Sequence, residues 1–341
     1  MAIKQSINQE KARQFAVKTV RKLQSGGFIA YWAGGCVRDQ RLQRDPTDYD
    51  IATNALPAEI QKLFGERKTI AIGAAFGVIT LIGTKSTGNI DIATFREDVS
   101  YSDGRHPDSI CFSNAEQDAQ RRDFTINGMF FDPIVEQTID YVNGLTDIAA
   151  KTIRAIGDPA ERFDEDKLRI LRAIRFATTL QFNIESATLA AVKQMAENLQ
   201  QVSRERILVE LNLTLSSPHQ QTGLNLLLET GVLEYALPGI QPPASNQDDR
   251  WQTLLAVTSQ CNPDWFASTL ALIYKTLAAH ASVADIQANL KEMKLSNDDI
   301  ATVRWLLLNL ETLILADQNP WPDIQRLLIT PQATQAVRIA R

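Results

Sequence analysis

The sequence predicts an α+β protein, in which a mixed part of strands and helices is followed by an all-α part. Two observations predict this division. Short apolar runs with strand character alternate with helical segments up to about residue 150, and from about Leu168 apolar residues recur at helical spacing. The length of 341 residues suffices for two or three domains. We therefore predict a head at residues 1–149, a helical neck at 150–218 and a helical body at 219–341.

The elements of the head are predicted in the following order. A first helix is expected from about Asn8 to Gln24, because Gly26 and Gly27 stop it. The apolar run FIAYWA predicts a buried strand, a short helix follows two glycines, and DYDIA predicts a second strand. LPAEIQKLFG predicts a helix that ends at Gly65, and TIAIGAAFGVITLIGTKSTGNIDIATF predicts two or three strands. The polar stretch REDVSYSDGRHPDSICFSNAEQDAQ predicts a loop with one short strand, SICF.

Composition and charge exclude several classes of protein. Charged residues make up 22% and hydrophobic residues 44% of the chain, as in ordinary globular proteins. The formal net charge of -5 argues against a general coat of basic residues, but it allows a locally basic groove. The sequence contains no run of about 18 apolar residues, so no membrane span is predicted. The amphipathic N-terminal segment lacks the apolar core of a secretory signal.

Cysteines and histidines are few and far apart. Cys36, Cys111 and Cys261 show no paired spacing, which indicates reduced thiols and predicts a cytoplasmic protein. The three histidines are also scattered, so a zinc site has almost no candidate ligands.

Two aspartates, Asp48 and Asp50, lie at the start of the predicted strand DYDIA and indicate a metal site. Alternate residues of a strand point the same way, so both carboxylates should project from one face. Carboxylates that close repel each other unless positive charge lies between them. Mg²⁺ prefers hard oxygen ligands and would remove the conflict. The alternative is a solvated strand end, which is the commoner outcome for a lone pattern of this kind.

A pair of glycines strengthens the metal interpretation. Gly34 and Gly35 follow the first strand and open a short helix. Glycines there let backbone N–H groups approach a phosphate, and the helix N-terminus adds partial positive charge. Arg38, one turn into the helix, could reach the same anion. A phosphate cradle near a carboxylate pair suits phosphoryl and nucleotidyl transfer, in which a metal bridges carboxylates and phosphates.

The ordered set of motifs resembles the class II tRNA nucleotidyltransferases and the related bacterial poly(A) polymerases, members of the DNA polymerase β superfamily. The resemblance starts with GGCVRD and DYDIAT and covers roughly residues 25–240. Further motifs follow in the same order: IDIATFR (90–96), RRDFTINGM (121–129), DEDKLRILRAIRFA (164–177) and RERILVEL (204–211). The resemblance implies a polymerase β-like nucleotidyltransferase head that precedes the helical neck and body.

The resemblance also implies roles for the acidic residues of the head. Asp48 and Asp50 would hold two Mg²⁺ ions, one that activates the 3′-hydroxyl of an RNA and one that binds the triphosphate. Asp91 in IDIATFR is the best candidate for a third catalytic carboxylate. Its alternative is a strand aspartate that contacts Arg96 or solvent.

The segment RRDFTINGM is implied to bind the sugar and phosphates of the incoming nucleotide. Arg121 and Arg122 would meet phosphate oxygens, and Asp123 would accept hydrogen bonds from the ribose hydroxyls. The alternative is an arginine pair that neutralises Asp118 and Asp123 at the surface.

The segment EDKLR is implied to read the incoming base. We expect Glu165, Asp166 and Arg169 at the start of one helix, with Asp166 and Arg169 as i, i+3 neighbours. Asp166 would accept from the amine of C or A, Arg169 would donate to the ring nitrogen, and Glu165 would hold the guanidinium. Uracil and guanine present the reverse pattern. A surface salt bridge is the alternative. Arg172 and Arg175 extend a basic stripe that could meet the triphosphate or the RNA primer, and for Arg175 the alternative is a solvated face.

The resemblance implies a template-independent enzyme that adds C, C and A to the 3′ end of tRNA from CTP and ATP, with Mg²⁺ as cofactor. An A-adding enzyme and a poly(A) polymerase use nearly the same base pocket and stay open. A CC-adding enzyme is disfavoured, because the segment between Arg96 and Arg121, which accompanies addition of the terminal A in this family, has full length here. A non-catalytic RNA-binding module is the alternative of another class. The presence of Asp48 and Asp50 argues against it.

Overall fold

The chain forms two compact units. The structure, a computed structural model, describes residues 7–100, 109–262, 264–278 and 280–340. The first unit runs to Asp166 and the second begins at Lys167. The change of composition near residue 150 therefore lies within the first unit, because the last helix before the division still belongs to the head. The assignment of separate functions to a head, a neck and a body stays a prediction.

The first unit is built around a mixed sheet. The strands of the first unit are β1 (Ala30–Ala33), β2 (Asp50–Thr53), β3 (Thr69–Ile70), β4 (Val78–Leu81), β5 (Ile90–Thr94), β6 (Arg96–Ser100), β7 (Ser109–Phe112), β8 (Phe130–Asp132), β9 (Gln137–Ile139) and β10 (Thr152–Ile153). In the described residues the main sheet has the order β3-β4-β5-β2-β1-β8-β9. Only β2 and β5 run parallel in it, and the other neighbours are antiparallel.

The polar stretch after β5 contains more regular structure than the sequence predicts. SICF forms β7, as expected, but residues 96–100, which we expected to be a loop, form its antiparallel partner β6. Glu97 pairs with Cys111 across this ladder. Charged side chains hide this strand from a search for apolar alternation, because backbone pairing needs no apolar residue. Residues 101–108 lie outside the described residues.

The helices of the first unit are α1 (Gln9–Ser25), α2 (Gly35–Arg41), α3 (Pro57–Phe64), α4 (Ala115–Gln120), α5 (Gly144–Ala149) and α6 (Pro159–Glu165). The boundaries of α1 follow from its sequence. The side chain of Asn8 caps its N-terminus by accepting a hydrogen bond from the Lys11 backbone N–H at 3.0 Å. Gly26 ends it, as predicted.

The two faces of the sheet have different neighbours. On one face, the apolar side of α1, including Ala16 and Val20, packs in one core cluster with Ile51, Ile79 and Ile92. The opposite face carries a smaller cluster that includes Ala52, Phe95 and Phe130. Because alternate strand residues point to opposite faces, the residues next to Ile51 and Ile92 point away from α1.

The second unit is almost wholly helical. It contains the short strand β11 (Asn183–Ile184) and the helices α7 (Arg169–Leu180), α8 (Ser186–Gln194), α9 (Arg204–Leu215), α10 (Gln220–Glu229), α11 (Val232–Ala236), α12 (Asp249–Thr258), α13 (Phe266–Leu277), α14 (Val283–Glu292), α15 (Asn297–Ile314), α16 (Trp321–Leu328) and α17 (Ala333–Ala340). The buried helix α13 packs against α12 and α15, and α7 packs against α9 and α10. The predicted α+β class, with an all-α C-terminal part, is confirmed. In the described part of the chain, no helix is both long enough and apolar enough to cross a membrane.

Candidate active site

The predicted catalytic carboxylates lie at the centre of the sheet. Asp50 is the first residue of β2, and Asp48 precedes it by two residues. In the parallel ladder Ile51 pairs with Ile92, so Asp50 lies next to Asp91 on the neighbouring strand. Both carboxylates are on the face away from α1, because Ile51 and Ile92 occupy the α1 face.

Electrostatic repulsion is concentrated at Asp50. Desolvation raises its pKa first, and the charges of Asp48 and Asp91 raise it further, while Arg122 opposes the shift. The result is a pKa raised from 3.8 to about 6. The three acidic groups are therefore close enough to interact, and a cation bound between them would relieve their repulsion.

The donor set consists of carboxylate oxygens of the kind that a hard divalent cation binds. Among the described residues, no group of three or more Asp, Glu, His or Cys side chains converges closely enough to hold a metal ion. Asp91 accepts a hydrogen bond from the Thr80 hydroxyl at 2.5 Å. Mg²⁺ is commonly held by one or two carboxylates together with substrate phosphates, and Asp48 and Asp50 match that arrangement. His106 lies outside the described residues.

The adjacent arginines Arg121 and Arg122 are held by one buried carboxylate, Asp118 of α4, which is 1% exposed. Its Oδ1 accepts from Nε and Nη2 of Arg121 at 2.9 and 2.6 Å, and its Oδ2 accepts from Nε and Nη2 of Arg122 at 3.2 and 2.9 Å. The sequence suggested Asp118 only as a surface partner. Asp118 lies three residues before Arg121 and four before Arg122, and on a helix this spacing indicates that the carboxylate can reach both side chains.

The charge of Asp118 is strongly favoured in this position. Burial alone would raise its pKa, but the guanidiniums of Arg122 and Arg121 outweigh burial and hold the pKa below its usual range. Asp118 therefore fixes two cations, and Arg122 in turn lies close enough to lower the pKa of Asp50. The arginine pair and the carboxylate pair form one electrostatic system.

Asn127 connects the first motif with RRDFTINGM. Its Oδ1 accepts from Nη1 of Arg38 at 2.8 Å, and its Nδ2 donates to Oδ1 of Asp123 at 3.2 Å. Its backbone carbonyl accepts from Nη1 of Arg122 at 3.5 Å. The predicted nucleotide-binding residues Arg38, Arg122 and Asp123 are thus brought together. Sequence reasoning missed Asn127, although it lies within a quoted motif, because an amide carries no charge signal.

The glycine pair lets guanidinium groups approach the backbone. Gly34 has φ +73° and caps α2. A Cβ at Gly34 would lie 3.3 Å from Nη1 of Arg122, and a Cβ at Gly35 would lie 3.6 Å from Nη2 of Arg38. Gly34 is therefore required for its left-handed conformation, and a side chain there would crowd an arginine that faces the carboxylates.

The structure corrects the expected geometry of EDKLR. Glu165 is the last residue of α6, Asp166 is extended with φ −145° and ψ 102°, and Arg169 is the first residue of α7. The three residues therefore do not share one helix, and the predicted i, i+3 and i, i+4 relations are wrong. The segment 164–168 contains no glycine or proline that would mark the break, so the sequence reads as one continuous helix. Glu165 accepts from Nη1 of Arg162 at 2.8 Å.

Arg172 and Arg175 of the basic stripe on α7 interact with a carboxylate of the second unit. Glu210 of α9 is 5% exposed, and its carboxylate accepts from Nε of Arg175 at 2.5 Å and lies 3.7 Å from Nη1 of Arg172. Both guanidiniums lie over the ring of Phe176, at 5.3 Å for Arg172 and 3.9 Å for Arg175. Arg175 is therefore not on a solvated face. Glu210 belongs to the motif RERILVEL and explains why that motif accompanies the stripe.

Comparison with known proteins identifies the family. Residues 30–154 match the model of the poly A polymerase head domain, and residues 181–242 match that of a probable RNA and SrmB-binding site of polymerase A. The CCA-adding enzyme of Streptococcus mutans is 36% identical over 295 residues, which are 86% of this chain and 70% of that protein. The chain belongs to the tRNA nucleotidyltransferase family.

Comparison with two further CCA-adding enzymes supports the same family assignment. The CCA-adding enzyme of Lactococcus lactis subsp. lactis is 38% identical over 285 residues, 83% of this chain and 68% of that protein. The crystal structure of the Bacillus stearothermophilus CCA-adding enzyme in complex with CTP superposes with a TM-score of 0.77 at 29% identity. That likeness covers 97% of this chain and 77% of the other. The predicted family and the predicted nucleotidyltransferase class are confirmed.

Replacing Asp50 with asparagine is expected to raise the melting temperature of the metal-free chain at neutral pH. The folded-state pKa of Asp50, about 6, exceeds the ordinary value of 3.8, so the folded chain binds this proton more tightly than the unfolded chain does. The charged form therefore destabilises the fold above a pH of about 6, and this penalty disappears as the pH falls towards 3.8. Melting curves of wild type and Asp50→Asn over this range should converge at the acidic end. Asp317→Asn, an exposed neutralisation in the second unit, is the control, and an equal gain there would contradict the account.

Asp118→Asn is expected to weaken nucleotide binding more than it slows turnover. An amide leaves two neighbouring guanidiniums without their shared counter-charge, so both should lose their fixed orientation. We expect KM for CTP to rise about tenfold or more, and Asp118→Glu to recover part of the loss. Steady-state kinetics and a melting curve on each variant separate this positioning effect from unfolding. Glu116→Gln, on the exposed side of the same helix, should behave like wild type. An unchanged KM in folded Asp118→Asn would remove the positioning role.

Proposed function

We propose that this chain adds C and A residues to the 3′ end of tRNA without a template, using CTP and ATP. The observation that carries the proposal is the arrangement around Asp50, which lies next to Asp91 in the β2–β5 ladder. Desolvation first, and then the charges of Asp48 and Asp91, raise the pKa of Asp50, while Arg122 lowers it. A carboxylate pair that attracts a cation, beside arginines that attract phosphates, suits transfer of a nucleotide from its triphosphate. Relatives named CCA-adding enzymes, at 36 and 38% identity, support C and A as the added residues.

The metal site is part of this proposal. Asp48 and Asp50 would hold the divalent cation, for which we propose Mg²⁺, and the bound cation supplies charge neutralisation for the triphosphate and activation for the RNA 3′-hydroxyl. Asp91, held by Thr80, would act as a third negative group that keeps the site attractive to cations. Because Asp50 and Asp91 are on neighbouring strands of the sheet, their separation is set by the strand register.

The residues around the carboxylates would bind the nucleotide. Arg121 and Arg122, fixed by Asp118, would meet phosphate oxygens, and Gly34 and Gly35 would let those oxygens approach the backbone. These cations need not be reorganised when the triphosphate arrives, because their orientation is already determined by the protein.

The ribose would be bound through a second network. Arg38 and Asp123 are joined by Asn127, which places an acceptor for sugar hydroxyls at the end of a hydrogen-bonded chain. Such a chain fixes which atoms of Asp123 face the sugar.

Base selection is proposed for Asp166 and Arg169. Asp166 would accept from the exocyclic amine shared by cytosine and adenine, and Arg169 would donate to the adjacent ring nitrogen. Arg172, fixed by Glu210, would add a positive charge for the triphosphate or the primer. The predicted role of Glu165, to support Arg169, stays a prediction, and the two residues belong to the consecutive helices α6 and α7 rather than to one helix.

Two alternative enzymes would catalyse the same kind of nucleotide transfer. An A-adding enzyme or a poly(A) polymerase would use the same carboxylates, and the relatives named above favour CCA addition. The segment between Arg96 and Arg121 disfavours a CC-adding enzyme by its length. Residues 101–108 of this segment lie outside the described residues. A cytoplasmic location also stays a prediction, and the free thiols of Cys36 and Cys261 agree with it.

The direct test offers the chain three RNAs with labelled CTP or ATP. The RNAs are a tRNA transcript that ends before CCA, one that ends after CC, and an unrelated RNA. CCA addition predicts incorporation of C into the first, of a single A into the second, and little into the third. Use of ATP alone would indicate an A-adding enzyme, and long A tails on the unrelated RNA would indicate a poly(A) polymerase.

Asp48→Ala and Asp50→Ala are each expected to reduce nucleotide addition by at least about a hundredfold while leaving the fold intact. The reason is the removal of one of two protein ligands to the cation. Single-turnover incorporation of CTP, together with a melting curve, gives the answer. Asp45→Ala, an exposed carboxylate just before the pair, should retain activity. Near-wild-type turnover of either site variant would refute the assignment.

Arg169→Ala is expected to weaken rejection of UTP and GTP as well as to slow the use of CTP and ATP. A bidentate base contact is worth about 1–3 kcal/mol of discrimination, so selectivity should fall about tenfold. Single-turnover incorporation of all four nucleotides by wild type and variant measures it, with Arg304→Ala, an exposed arginine of α15, as the control. If all four nucleotides slow by the same factor, Arg169 binds phosphate instead and does not read the base.

A further inference from the structure

A groove lies on the α1 side of the sheet, away from the face that carries Asp50 and Asp91. It is formed by α1, by the end of α3 with the turn after it, and by the end of β4 with the loop after it. Its volume is about 440 Å³, within the range of about 300–1,000 Å³ found for small-ligand sites. None of the catalytic or nucleotide-binding residues described above lines it.

The floor of the groove is apolar and aromatic. Phe15 from α1 and Phe64 from α3 are half-buried there, with part of each ring left accessible. Leu81 is 3% exposed and closes the bottom, and Ile82 is 43% exposed at the side.

The rim of the groove is positively charged. Lys18, Lys22, Arg67 and Lys68 are exposed along it, and no acidic residue is among its lining residues in the described part of the chain. Within the described residues, no ion pair joins any of these four cations to a carboxylate. The ammonium of Lys22 lies 4.8 Å from the ring centroid of Phe64. In a chain of net charge -5, this local excess of positive charge creates a field that attracts anions.

We propose that this groove binds a single-stranded segment of RNA. Single-stranded RNA alternates flat apolar bases with phosphates, and proteins bind it by combining aromatic platforms with a positively charged groove. Phe15 and Phe64 supply the platforms, and the four cations lie where phosphates would pass. An acidic peptide would satisfy the cations, but it would leave the two rings without a flat partner.

The inference rests on the proposed function, since an enzyme that extends RNA has this polymer bound close by. The groove lies on the opposite side of the sheet from the carboxylates and would hold the strand without taking part in the reaction. Binding there would raise the local concentration of RNA at the enzyme.

The test measures binding of a short oligoadenylate with a 5′ fluorescent label and a 3′-phosphate, which cannot be extended. Fluorescence anisotropy is recorded with the full chain at several salt concentrations. Lys18→Glu combined with Lys68→Glu is the groove variant. Lys11→Glu combined with Lys62→Glu is the matched control, because it changes the net charge by the same amount, on α1 and on α3, but at residues outside the lining.

The groove variant is expected to bind about tenfold or more weakly. Its salt dependence should also be shallower, because the slope of log affinity against log salt falls by about 0.7 for each phosphate that the protein no longer neutralises. Phe64→Leu keeps the apolar volume but removes the ring, so it should also weaken binding, with little change in salt dependence. The control should bind like wild type. A melting curve on each variant confirms that it is folded.

Three results would overturn the inference: no binding by wild type, equal weakening of the groove variant and the control, or equally tight binding of an oligoglutamate that depends on the same residues. The wild-type incorporation assay keeps the two proposals separate. If nucleotides are incorporated but groove variants bind RNA normally, only the groove proposal fails. If incorporation fails but groove-dependent binding is observed, only the proposed reaction fails.

Discussion

Repulsion between carboxylates on the parallel pair β2–β5 is the constraint on which the site depends. Asp50 and Asp91 are adjacent because Ile51 and Ile92 are in register, and Asp48 adds a third negative charge. The apolar neighbours that fix this register are buried against α1, so the carboxylates cannot move apart without disturbing the core. The chain therefore maintains an arrangement that is unfavourable near neutral pH and that a bound cation would relieve.

The positive side of the site is organised just as firmly, but by polar contacts. Asp118 uses both oxygens to hold Arg121 and Arg122, and Asn127 connects Arg38 to Asp123. Burial strengthens these contacts, because hydrogen bonds between charged groups are stronger where water is excluded. Arg122 therefore binds its own counter-ion, Asp118, and is also close enough to lower the pKa of Asp50.

The sequence was sufficient to predict the parts of the fold that depend on local patterns. Strand alternation placed Asp50 on one face of its strand, and Gly26 marked the end of α1. The sequence did not predict that Asp166 leaves the helix, because the motif reads as continuous and contains no glycine or proline to mark the end of α6.

Features made by residues distant in the chain were beyond sequence reasoning. The burial of Asp118 depends on what packs over α4, and no spacing in the chain reports it. The groove at Phe15 and Phe64 needs a helix, a turn and a strand end to meet, and the separate segments show only scattered lysines and phenylalanines.

The most direct measurement of the central claim is a titration of the chain with Mn²⁺, which accepts the same oxygen ligands as Mg²⁺ and can be followed by electron paramagnetic resonance. The account predicts saturable binding near neutral pH, weaker binding as the pH falls below about 6, and loss of that binding in the double variant Asp48→Asn, Asp50→Asn. Unchanged Mn²⁺ binding in the folded double variant, or binding independent of pH across this range, would contradict it.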